Sequence, residues 1–267
     1  MRWIIGDIHG MVRPLEALVK AVQRQDGEAK FYFVGDYVNR GPESRRVVDF
    51  LLTLKNAKFI RGNHDDVFDL ILHRKAYDPH PDADSPGSSF KFFLNHGLDT
   101  TLISYGIDRR QIQRTAMDPN KQALEDLLAP VPKAHRDFFR NLPVMVDEPD
   151  LFIVHAKWDP NEATQQPDLQ TRIIMEPRHR HQILWGRFTE EEITSKKAWE
   201  RTGYFGHTPV SIYSRGTENR EHLPAIGHKI VLLDTGAALS SAGRLTGYCA
   251  ETRKYLQSDR AGTIVQA

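Results

Sequence analysis

The sequence contains a single cysteine, Cys249, among 267 residues, so no disulfide can form within the chain. Long apolar runs are also missing: none approaches 18 residues, and the apolar segment at the N-terminus is too short for a signal peptide. Together these features favour a cytoplasmic protein. The chain also lacks an excess of charge of either sign, because 36 Lys and Arg residues and 35 Asp and Glu residues give a formal net charge of +1. We therefore expect neither a nucleic-acid nor a membrane partner.

The composition is that of a folded protein. Hydrophobic residues make up 40% and charged residues 27%, which excludes a mainly disordered chain. No internal repeat, low-complexity tract or linker interrupts the sequence. We predict one domain over residues 1–267, although the length alone would also allow two.

Apolar runs and helical spacing alternate in the first third of the chain. The runs at 3–6, 31–34 and 57–60 are typical of short buried strands. Each is followed by apolar residues at helical spacing, as in Leu15, Leu18 and Val22. This alternation indicates βαβ units and predicts an α/β fold around a buried sheet.

The predicted secondary structure changes twice along the rest of the chain. Residues 76–142 predict a partly helical insertion, beginning with an irregular loop rich in Pro and Asp. Short strands are predicted afterwards, at 144–146, 151–154, 204–205, 210–213 and 230–233. A second irregular segment covers 156–180. We expect the two irregular segments, 76–90 and 156–180, to border the substrate.

Five apolar runs end in polar residues that can bind a metal ion. In α/β proteins, ligands bind beyond the carboxyl ends of the strands. Glycine precedes several of these positions, where the backbone must turn sharply or approach a ligand. These polar residues are Asp7 and His9, Asp36, Asn63 and His64, His155, and His207.

These residue types restrict the metal and the chemistry. Carboxylate, amide and imidazole ligands without thiolate suit Mn, Fe, Zn or Mg. Two ions sharing a bridging carboxylate can activate water and clamp a phosphoryl group. Arg40 and Arg61 lie close in sequence to Asp36 and Asn63, and a guanidinium matches phosphate oxygens in a bidentate way. The pattern therefore predicts phosphoester chemistry.

The motifs resemble those of the calcineurin-like metallophosphoesterases, and more narrowly the phosphoprotein phosphatase branch. The blocks that carry this resemblance occur in family order over residues 7–208. They read Asp7-Ile8-His9-Gly10, Gly35-Asp36-Tyr37-Val38-Asn39-Arg40-Gly41, Arg61-Gly62-Asn63-His64-Asp65, His155, and Gly206-His207-Thr208. The branch includes Ser/Thr protein phosphatases and symmetrical diadenosine tetraphosphate hydrolases.

The resemblance implies a four-layer αββα sandwich with a dinuclear metal site at the strand C-terminal ends. It also implies roles, with His64 as the general acid and Arg40 and Arg61 as phosphate ligands. Arg187 is the best candidate for a third phosphate-binding arginine. The implied cofactors are two divalent ions, with manganese the first expectation. The implied ligands are Asp7 and His9 for the first ion, Asp36 as the bridge, and Asn63, His155 and His207 for the second.

Two positions depart from the protein-phosphatase form of these motifs. Asn39 stands where an Asp is usual, so we expect it to orient His64 through its carbonyl oxygen without adding charge. The pKa of His64 should then be lower than in an Asp-bearing relative. Asp65 replaces a Glu. Both departures resemble the diadenosine tetraphosphate hydrolases.

Three functions follow as alternatives. The first is hydrolysis of phosphomonoesters, with a phosphorylated protein or small phosphoester as partner, by direct attack of a metal-bridging hydroxide. The second is symmetrical hydrolysis of dinucleoside polyphosphates. The third is a catalytically weak protein that binds phosphorylated ligands, motivated by Asn39 alone. Trp158 could stack on a base or ring of the substrate, or anchor its own loop by packing.

Overall fold

The computed structural model describes residues 1–73, 86–160, 177–197, 199–213 and 222–266. The helices described are α1 Val12–Gln25, α2 Ser44–Leu51, α3 Asn63–His73, α4 Pro86–Leu94, α5 Leu98–Ser104, α6 Arg109–Met117, α7 Lys121–Leu128, α8 Lys133–Asn141, α9 Pro177–Trp185 and α10 Glu190–Thr194. The strands are β1 Arg2–Ile5, β2 Lys30–Phe33, β3 Ala57–Phe59, β4 Met145–Asp147, β5 Leu151–Val154, β6 Thr202–Phe205, β7 Ala225–Ile226, β8 Ile230–Leu232, β9 Leu245–Cys249, β10 Tyr255–Ser258 and β11 Ile264–Gln266.

The first sheet combines both ends of the chain. Its strand order is β11-β10-β9-β1-β2-β3, with β1, β2 and β3 parallel and the three C-terminal strands antiparallel. The parallel half confirms the βαβ units expected from the alternating pattern. The C-terminal strands complete the sheet on the other side of β1.

The second sheet has the order β4-β5-β6-β8-β7. Strands β5, β6 and β8 run parallel, whereas the edge strands β4 and β7 are antiparallel to their neighbours. The parallel strands therefore form one half of the first sheet and the centre of the second. Their carboxyl ends are the positions from which the candidate metal ligands extend.

Alternation along the strands places side chains in different layers. Ile4 and Tyr32 of the first sheet share an apolar cluster with Ile153 and Val231 of the second, so the sheets pack face to face. On the outer face of the first sheet, residues such as Phe33 pack with helices α1–α8. The outer face of the second sheet packs with α9 and α10. The result is the four-layer helix–sheet–sheet–helix sandwich that the family resemblance implied.

Helices α4–α8 occupy most of the segment predicted to be a partly helical insertion. Helix α3 packs against α4, α7 and α8, which brings this segment against the residues that follow β3. The boundaries of the insertion at 76–142, and a single domain over 1–267, stay predictions.

One predicted strand is wrong. Residues Val210–Ile212 form a 3₁₀ helix rather than a strand, and the chain turns back on itself after Pro209. The backbone N–H of Ile212 donates to the Pro209 carbonyl, and that of Tyr213 donates to Val210. Alternating apolar side chains suggested the strand, but these local bonds use the backbone groups that a strand would offer to a neighbour.

No helix within the described part of the chain is both long and apolar enough to cross a membrane.

Candidate metal centre

The residues predicted to bind metal converge beyond the carboxyl ends of the parallel strands. Four loops contribute, following β1, β2, β5 and β6, and the N-terminus of α3 contributes a fifth element. The side chains are all buried: Asp7, His9, Asp36, Asn63, His155 and His207. We call these six residues the ligand cluster.

One half of the cluster surrounds the amide oxygen of Asn63. His155 Nε2 lies 2.9 Å from Asn63 Oδ1, and His207 Nδ1 lies 3.0 Å from the same oxygen. Asp36 Oδ1 is 3.5 Å from His155 Nε2. Ligand atoms that share one ion at bonds of about 2.1 Å are separated by about 3 Å in tetrahedral or octahedral geometry. These four atoms are therefore spaced as ligands of one ion.

The other half lies on the opposite side of the Asp36 carboxylate. His9 Nε2 is 3.4 Å from Asp36 Oδ2, so the two carboxylate oxygens face two different histidines. Asp7 Oδ1 is buried and has no hydrogen-bond partner. Ligand atoms of Asp7, Asp36 and His155 lie within 4.8 Å of one another, as do those of His9, Asp36 and His64. This geometry matches a bridging role for Asp36.

Backbone carbonyls orient two of the histidines. His9 Nδ1 lies 2.9 Å from the Val38 carbonyl oxygen, and His155 Nδ1 lies 2.7 Å from the Val34 carbonyl oxygen. Because a carbonyl only accepts, each Nδ1 carries the proton and each Nε2 keeps a lone pair. Such outer bonds fix the tautomer and ring orientation of metal-binding histidines.

Two glycines leave the space that the carboxylates occupy. A Cβ at position 206 would lie 2.0 Å from Asp7 Oδ1, and one at position 62 would lie 2.1 Å from Asp36 Oδ1. Any other residue would therefore displace a carboxylate of the cluster. Glycine therefore precedes these polar strand ends because a side chain at positions 62 and 206 would overlap a carboxylate oxygen.

The backbone at the centre adopts unfavourable conformations. The angle φ is 57° at Asp36, 70° at Asn39 and 67° at Arg40. It is also positive at His9 and His207. Left-handed backbone is uncommon outside glycine and concentrates where the surrounding structure enforces it, often at functional sites.

Burial and mutual charge shift the pKa values of the cluster. Burial raises the pKa of Asp7, and the carboxylate of Asp234 raises it further. Burial and the nearby guanidinium of Arg40 lower the pKa of His9 to about 3. For His155, burial favours the neutral ring, but Asp36 overrides it and raises the pKa to about 9. A bound cation would favour ionised Asp7 and neutral His155.

His64, the predicted proton donor, lies beside the cluster. Its ring centroid is 4.8 Å from that of His9, and burial lowers its pKa. Asn39 does contact His64, but it does so through its amide nitrogen, with Nδ2 2.8 Å from His64 Nδ1. The expected contact through the carbonyl oxygen is not formed, because that oxygen accepts a hydrogen bond from Thr101.

The three predicted phosphate-binding arginines lie in different surroundings. Arg40 is half-buried, with Nη1 2.9 Å from His9 Nε2 and Nη2 3.4 Å from His64 Nε2. Arg187 is exposed, and its charge contributes to the lowered pKa of His207, behind burial and His155. The Arg40 guanidinium therefore lies at the centre, and the Arg187 guanidinium lies within electrostatic range of His207.

Arg61 differs from the other two arginines. Its Nη1 donates to Asp66 and Asp69 at 2.8 Å, and its Nη2 donates to two carbonyls in the last turn of α8, at 2.7 and 3.2 Å. Nε donates to the Leu142 carbonyl at 3.3 Å. Every N–H of the guanidinium is used within the protein, and the side chain is buried. The structure does not offer Arg61 to a phosphate.

These observations agree with a comparison against protein families. Residues 2–186 match the calcineurin-like phosphoesterase family. The chain belongs to this family. The resemblance read from the motifs is confirmed, and so is the fold class that it implied.

Relatives of this phosphoesterase match over a short stretch. The chain is 43% identical over 70 residues to a symmetrical bis(5'-nucleosyl)-tetraphosphatase of Coxiella burnetii, covering 26% of this chain and 24% of the relative. A protein of the same description from Legionella pneumophila is 35% identical over 83 residues, or 30% of each chain. The chain thus matches only about a quarter to a third of the length of these relatives.

Solved structures extend the likeness over the whole fold. A candidate diadenosine tetraphosphatase aligns with 97% of this phosphoesterase and 92% of its own chain, at 20% identity and a TM-score of 0.50. A cold-active protein-tyrosine phosphatase of a psychrophilic Shewanella species covers 99% of this chain and 79% of its own, at 14% identity and a TM-score of 0.57. At these identities the likeness concerns the fold.

The residues of this phosphoesterase fit the divalent metals on which the family depends. The donor set contains oxygen and imidazole nitrogen but no thiolate, Asp7 Oδ1 lacks a partner, and glycines 62 and 206 provide room for the carboxylates. Buried carboxylates that lack a protein partner are normally neutralised by a ligand or a cation.

Sequence reasoning missed one acidic residue of the centre. Asp234 is buried immediately after Leu233, accepts the Gly236 N–H through Oδ1, and leaves Oδ2 without a partner. The apolar run at 230–233 ends in this Asp. The rule that identified the other strand ends would have found it.

Asp65 acts on the loop that carries the bridging carboxylate. It was noted in the sequence only as a departure from the usual Glu. In the structure it accepts the backbone N–H groups of Asp36, Tyr37 and Gly62 at 2.7–2.9 Å. These bonds join the loop after β2 to the N-terminus of α3, and so hold Asp36 near Asn63.

Segments expected to border the substrate are described only in part. Residues 74–85 and 161–176 lie outside the described residues. Trp158 is described: it is buried in the cluster on the outer face of the second sheet. Its position supports packing, the second of the two readings of this residue.

Proposed function

We propose that this protein is a metal-dependent hydrolase of phosphoric esters. The observation that carries the proposal is the convergence of the six-residue ligand cluster, with the carboxylate of Asp36 between its halves and Arg40 and His64 beside it. Buried anionic ligands, a half-buried guanidinium and an imidazole are the groups that phosphoryl displacement requires.

Two divalent ions would be held by these residues. Asp7, His9 and Asp36 would hold one, and Asp36, Asn63, His155 and His207 the other; manganese is our first choice, with iron, zinc and magnesium as alternatives. When bound, such ions polarise phosphate oxygens and lower the pKa of water. We infer direct displacement at phosphorus, without a phosphorylated side chain.

The chain's own residues would position the ester. Arg40 and Arg187 offer guanidinium groups to the equatorial oxygens of the phosphate. His64 Nδ1 accepts from Asn39, so the neutral ring carries its proton on Nε2, and this N–H would donate a hydrogen bond to the leaving oxygen as negative charge develops there. In this proposal Arg61 has a structural role.

The substrate class is the finer part of the proposal. We put phosphomonoesters first, on a phosphorylated protein or a small cytoplasmic phosphoester. Dinucleoside polyphosphates are the second candidate, favoured by Asn39, by Asp65 and by the description of the relatives that match the N-terminal motifs.

Side-by-side turnover separates these substrates. We would load the full chain with Mn²⁺ and measure hydrolysis of p-nitrophenyl phosphate, a phosphoserine peptide and diadenosine tetraphosphate. Rapid hydrolysis of the peptide supports the first class, and exclusive hydrolysis of the dinucleotide supports the second.

A variant separates the enzyme from a binding protein. His64→Asn should reduce turnover of phosphoserine peptide by about 10²-fold or more while metal stays bound. A wild-type protein that binds metal and phosphate without turnover on any of the three substrates would contradict the proposal and support the phospho-ligand-binding alternative.

A further inference from the structure

Thr101 lies in α5, outside the five sequence motifs, yet its hydroxyl reaches the centre. The residue is fully buried. Its Oγ1 lies 2.8 Å from the backbone nitrogen of Asn39, 2.9 Å from Asn39 Oδ1 and 2.9 Å from Ser44 Oγ. Neither Thr101 nor Ser44 was singled out in the sequence.

These contacts account for every hydrogen-bonding group of the threonine hydroxyl. A hydroxyl has one proton to donate and two lone pairs. The Asn39 backbone N–H occupies one lone pair, the Ser44 hydroxyl fits the other, and the proton goes to Asn39 Oδ1. The carbonyl end of the Asn39 amide is therefore held at Thr101.

The amide orientation decides how His64 is held. With Oδ1 at Thr101, the other end of the amide faces the imidazole, and Nδ2 lies 2.8 Å from His64 Nδ1. Because Nδ2 donates, Nδ1 is an acceptor and the ring proton of the neutral imidazole is on Nε2. The Arg40 guanidinium also only donates, but its Nη2 is 3.4 Å from Nε2, so the shorter contact with Asn39 sets the tautomer. The hydroxyl of Thr101 thus selects the tautomer of His64 through Asn39.

Helix α5 also supports the backbone that presents Arg40. Asn39 and Arg40 are consecutive non-glycine residues with positive φ, a strained pair that needs external support. The N–H of Arg40 donates to the carbonyl of Gly97, which precedes α5, and the N–H of Asn39 donates to Thr101. Both peptide groups of this turn are therefore bonded to one helical segment.

We propose that Thr101 is a positioning residue for the reaction: it fixes the Asn39 amide, and through it the Nε2–H tautomer of His64. The expected effect on kcat rests on the proposed function, whereas the expected effect on the tautomer of His64 does not. Thr101 does not contact the substrate in this proposal, and it should therefore affect the leaving-group step more than binding.

The test compares Thr101→Val, which keeps the shape and removes the hydroxyl, with Thr101→Ser, which keeps the hydroxyl. Thr115→Val is the matched control, since Thr115 is buried in α6 and away from the centre. With Mn²⁺-loaded protein, Thr101→Val should lower kcat for an alkyl phosphate about tenfold or more. KM and metal content should change less than twofold.

A leaving group that needs no proton sharpens the result. For p-nitrophenyl phosphate, Thr101→Val should lower kcat less than threefold, because nitrophenolate leaves without assistance. Thr101→Ser should recover most of the loss, and Thr115→Val should resemble wild type on both substrates. Equal losses on the two substrates, or a serine variant as impaired as the valine variant, would overturn the kinetic role.

The tautomer can be measured without turnover. Nitrogen-15 spectra of the histidine rings in Zn²⁺-loaded protein should show His64 protonated on Nε2 in wild type and in Thr101→Ser. In Thr101→Val the two tautomers should mix. An unchanged His64 tautomer in a folded Thr101→Val protein would overturn the proposal even if no substrate is turned over, whereas absent turnover with the expected tautomers would count against the proposed function alone.

Discussion

Two buried clusters of charge adjoin the N-terminal half of α3, and they balance charge in different ways. In the ligand cluster, carboxylates and imidazoles turn lone pairs toward a shared centre, and Asp7 Oδ1 has no partner. In the second cluster, arginines meet carboxylates directly. We call it the arginine network: Arg61, Asp66, Asp69, His73 and Arg180.

The difference separates a binding site from a structural one. Arg61 is saturated by protein acceptors, Arg180 of α9 pairs with Asp66, and His73 pairs with Asp69 at 2.6 Å. Charges that are neutralised by neighbouring side chains hold elements together, here α3, α8 and α9. Acceptor atoms that converge on one point instead form a site that is stabilised when a cation binds there. Removing one charged side chain of the arginine network should therefore lower the free energy of unfolding. Removing one side chain of the ligand cluster should instead weaken metal binding.

The largest expected effect is on stability, from Arg61→Met. This change leaves Asp66 and Asp69 buried with less compensating charge, which typically costs about 3–5 kcal/mol. Urea denaturation in the presence of Mn²⁺ measures the loss. Activity per folded molecule should change little, because Arg61 offers no N–H to the substrate.

An exposed arginine provides the control for this variant. Arg46 pairs with Glu43 and Glu16 at the surface, and Arg46→Met should cost less than about 1 kcal/mol. If Arg61→Met were as stable as wild type but had a KM at least tenfold higher, Arg61 would be a phosphate ligand, as the sequence predicted.

Arg61 also marks the limit of sequence-based prediction. Its place two residues before Asn63 matches the motif. Its environment, however, is set by Asp66 and Asp69, one and two helical turns along α3, and by carbonyls in the last turn of α8. The sequence pattern cannot show which partner a guanidinium chooses when carboxylates and a phosphate could both accept. The strand-end ligands were predictable because the carboxyl ends of parallel strands meet at one edge of each sheet.

Thr101 and Asp234 were not predicted, for different reasons. Asp234 follows an apolar run and needed only the same rule applied once more. Thr101 stands in a helix with no local sign of function, and only tertiary packing of α5 brings it within 2.9 Å of Asn39. The path of residues 86–141 over the first sheet depends on contacts between distant segments, which local periodicity does not encode.

A smaller effect is expected on metal removal. Ions at about 100 times their Kd stabilise a protein by about 2.7 kcal/mol if they bind only the folded state. For a chain of this size we expect chelation to lower Tm by about 5–10 °C. Calorimetry with and without Mn²⁺ measures the difference, which should nearly vanish in Asp36→Asn because both halves of the cluster lose a ligand.

Two further variants, Arg61→Met and Asp118→Asn, serve as controls for the Mn²⁺-dependent shift in Tm. Asp118 is exposed at the end of α6, so Asp118→Asn should keep the full Mn²⁺-dependent shift in Tm. Arg61→Met should have a lower Tm but a similar shift. A Mn²⁺-dependent shift in Asp36→Asn as large as that of wild type would mean that the ions bind elsewhere.

The smallest expected effect comes from a single added methyl group. Gly206→Ala places a Cβ 2.0 Å from Asp7 Oδ1, so the carboxylate must move away from the centre, whereas Gly27 has open space around the corresponding position. Neither glycine has positive φ, so the comparison isolates the steric contact from backbone strain. Mn²⁺ affinity measured by titration calorimetry should fall about tenfold or more in Gly206→Ala, about 1.4 kcal/mol, and stay unchanged in Gly27→Ala. Equal affinity in both variants would mean that Asp7 is not a metal ligand, because a displaced carboxylate could not bind as before.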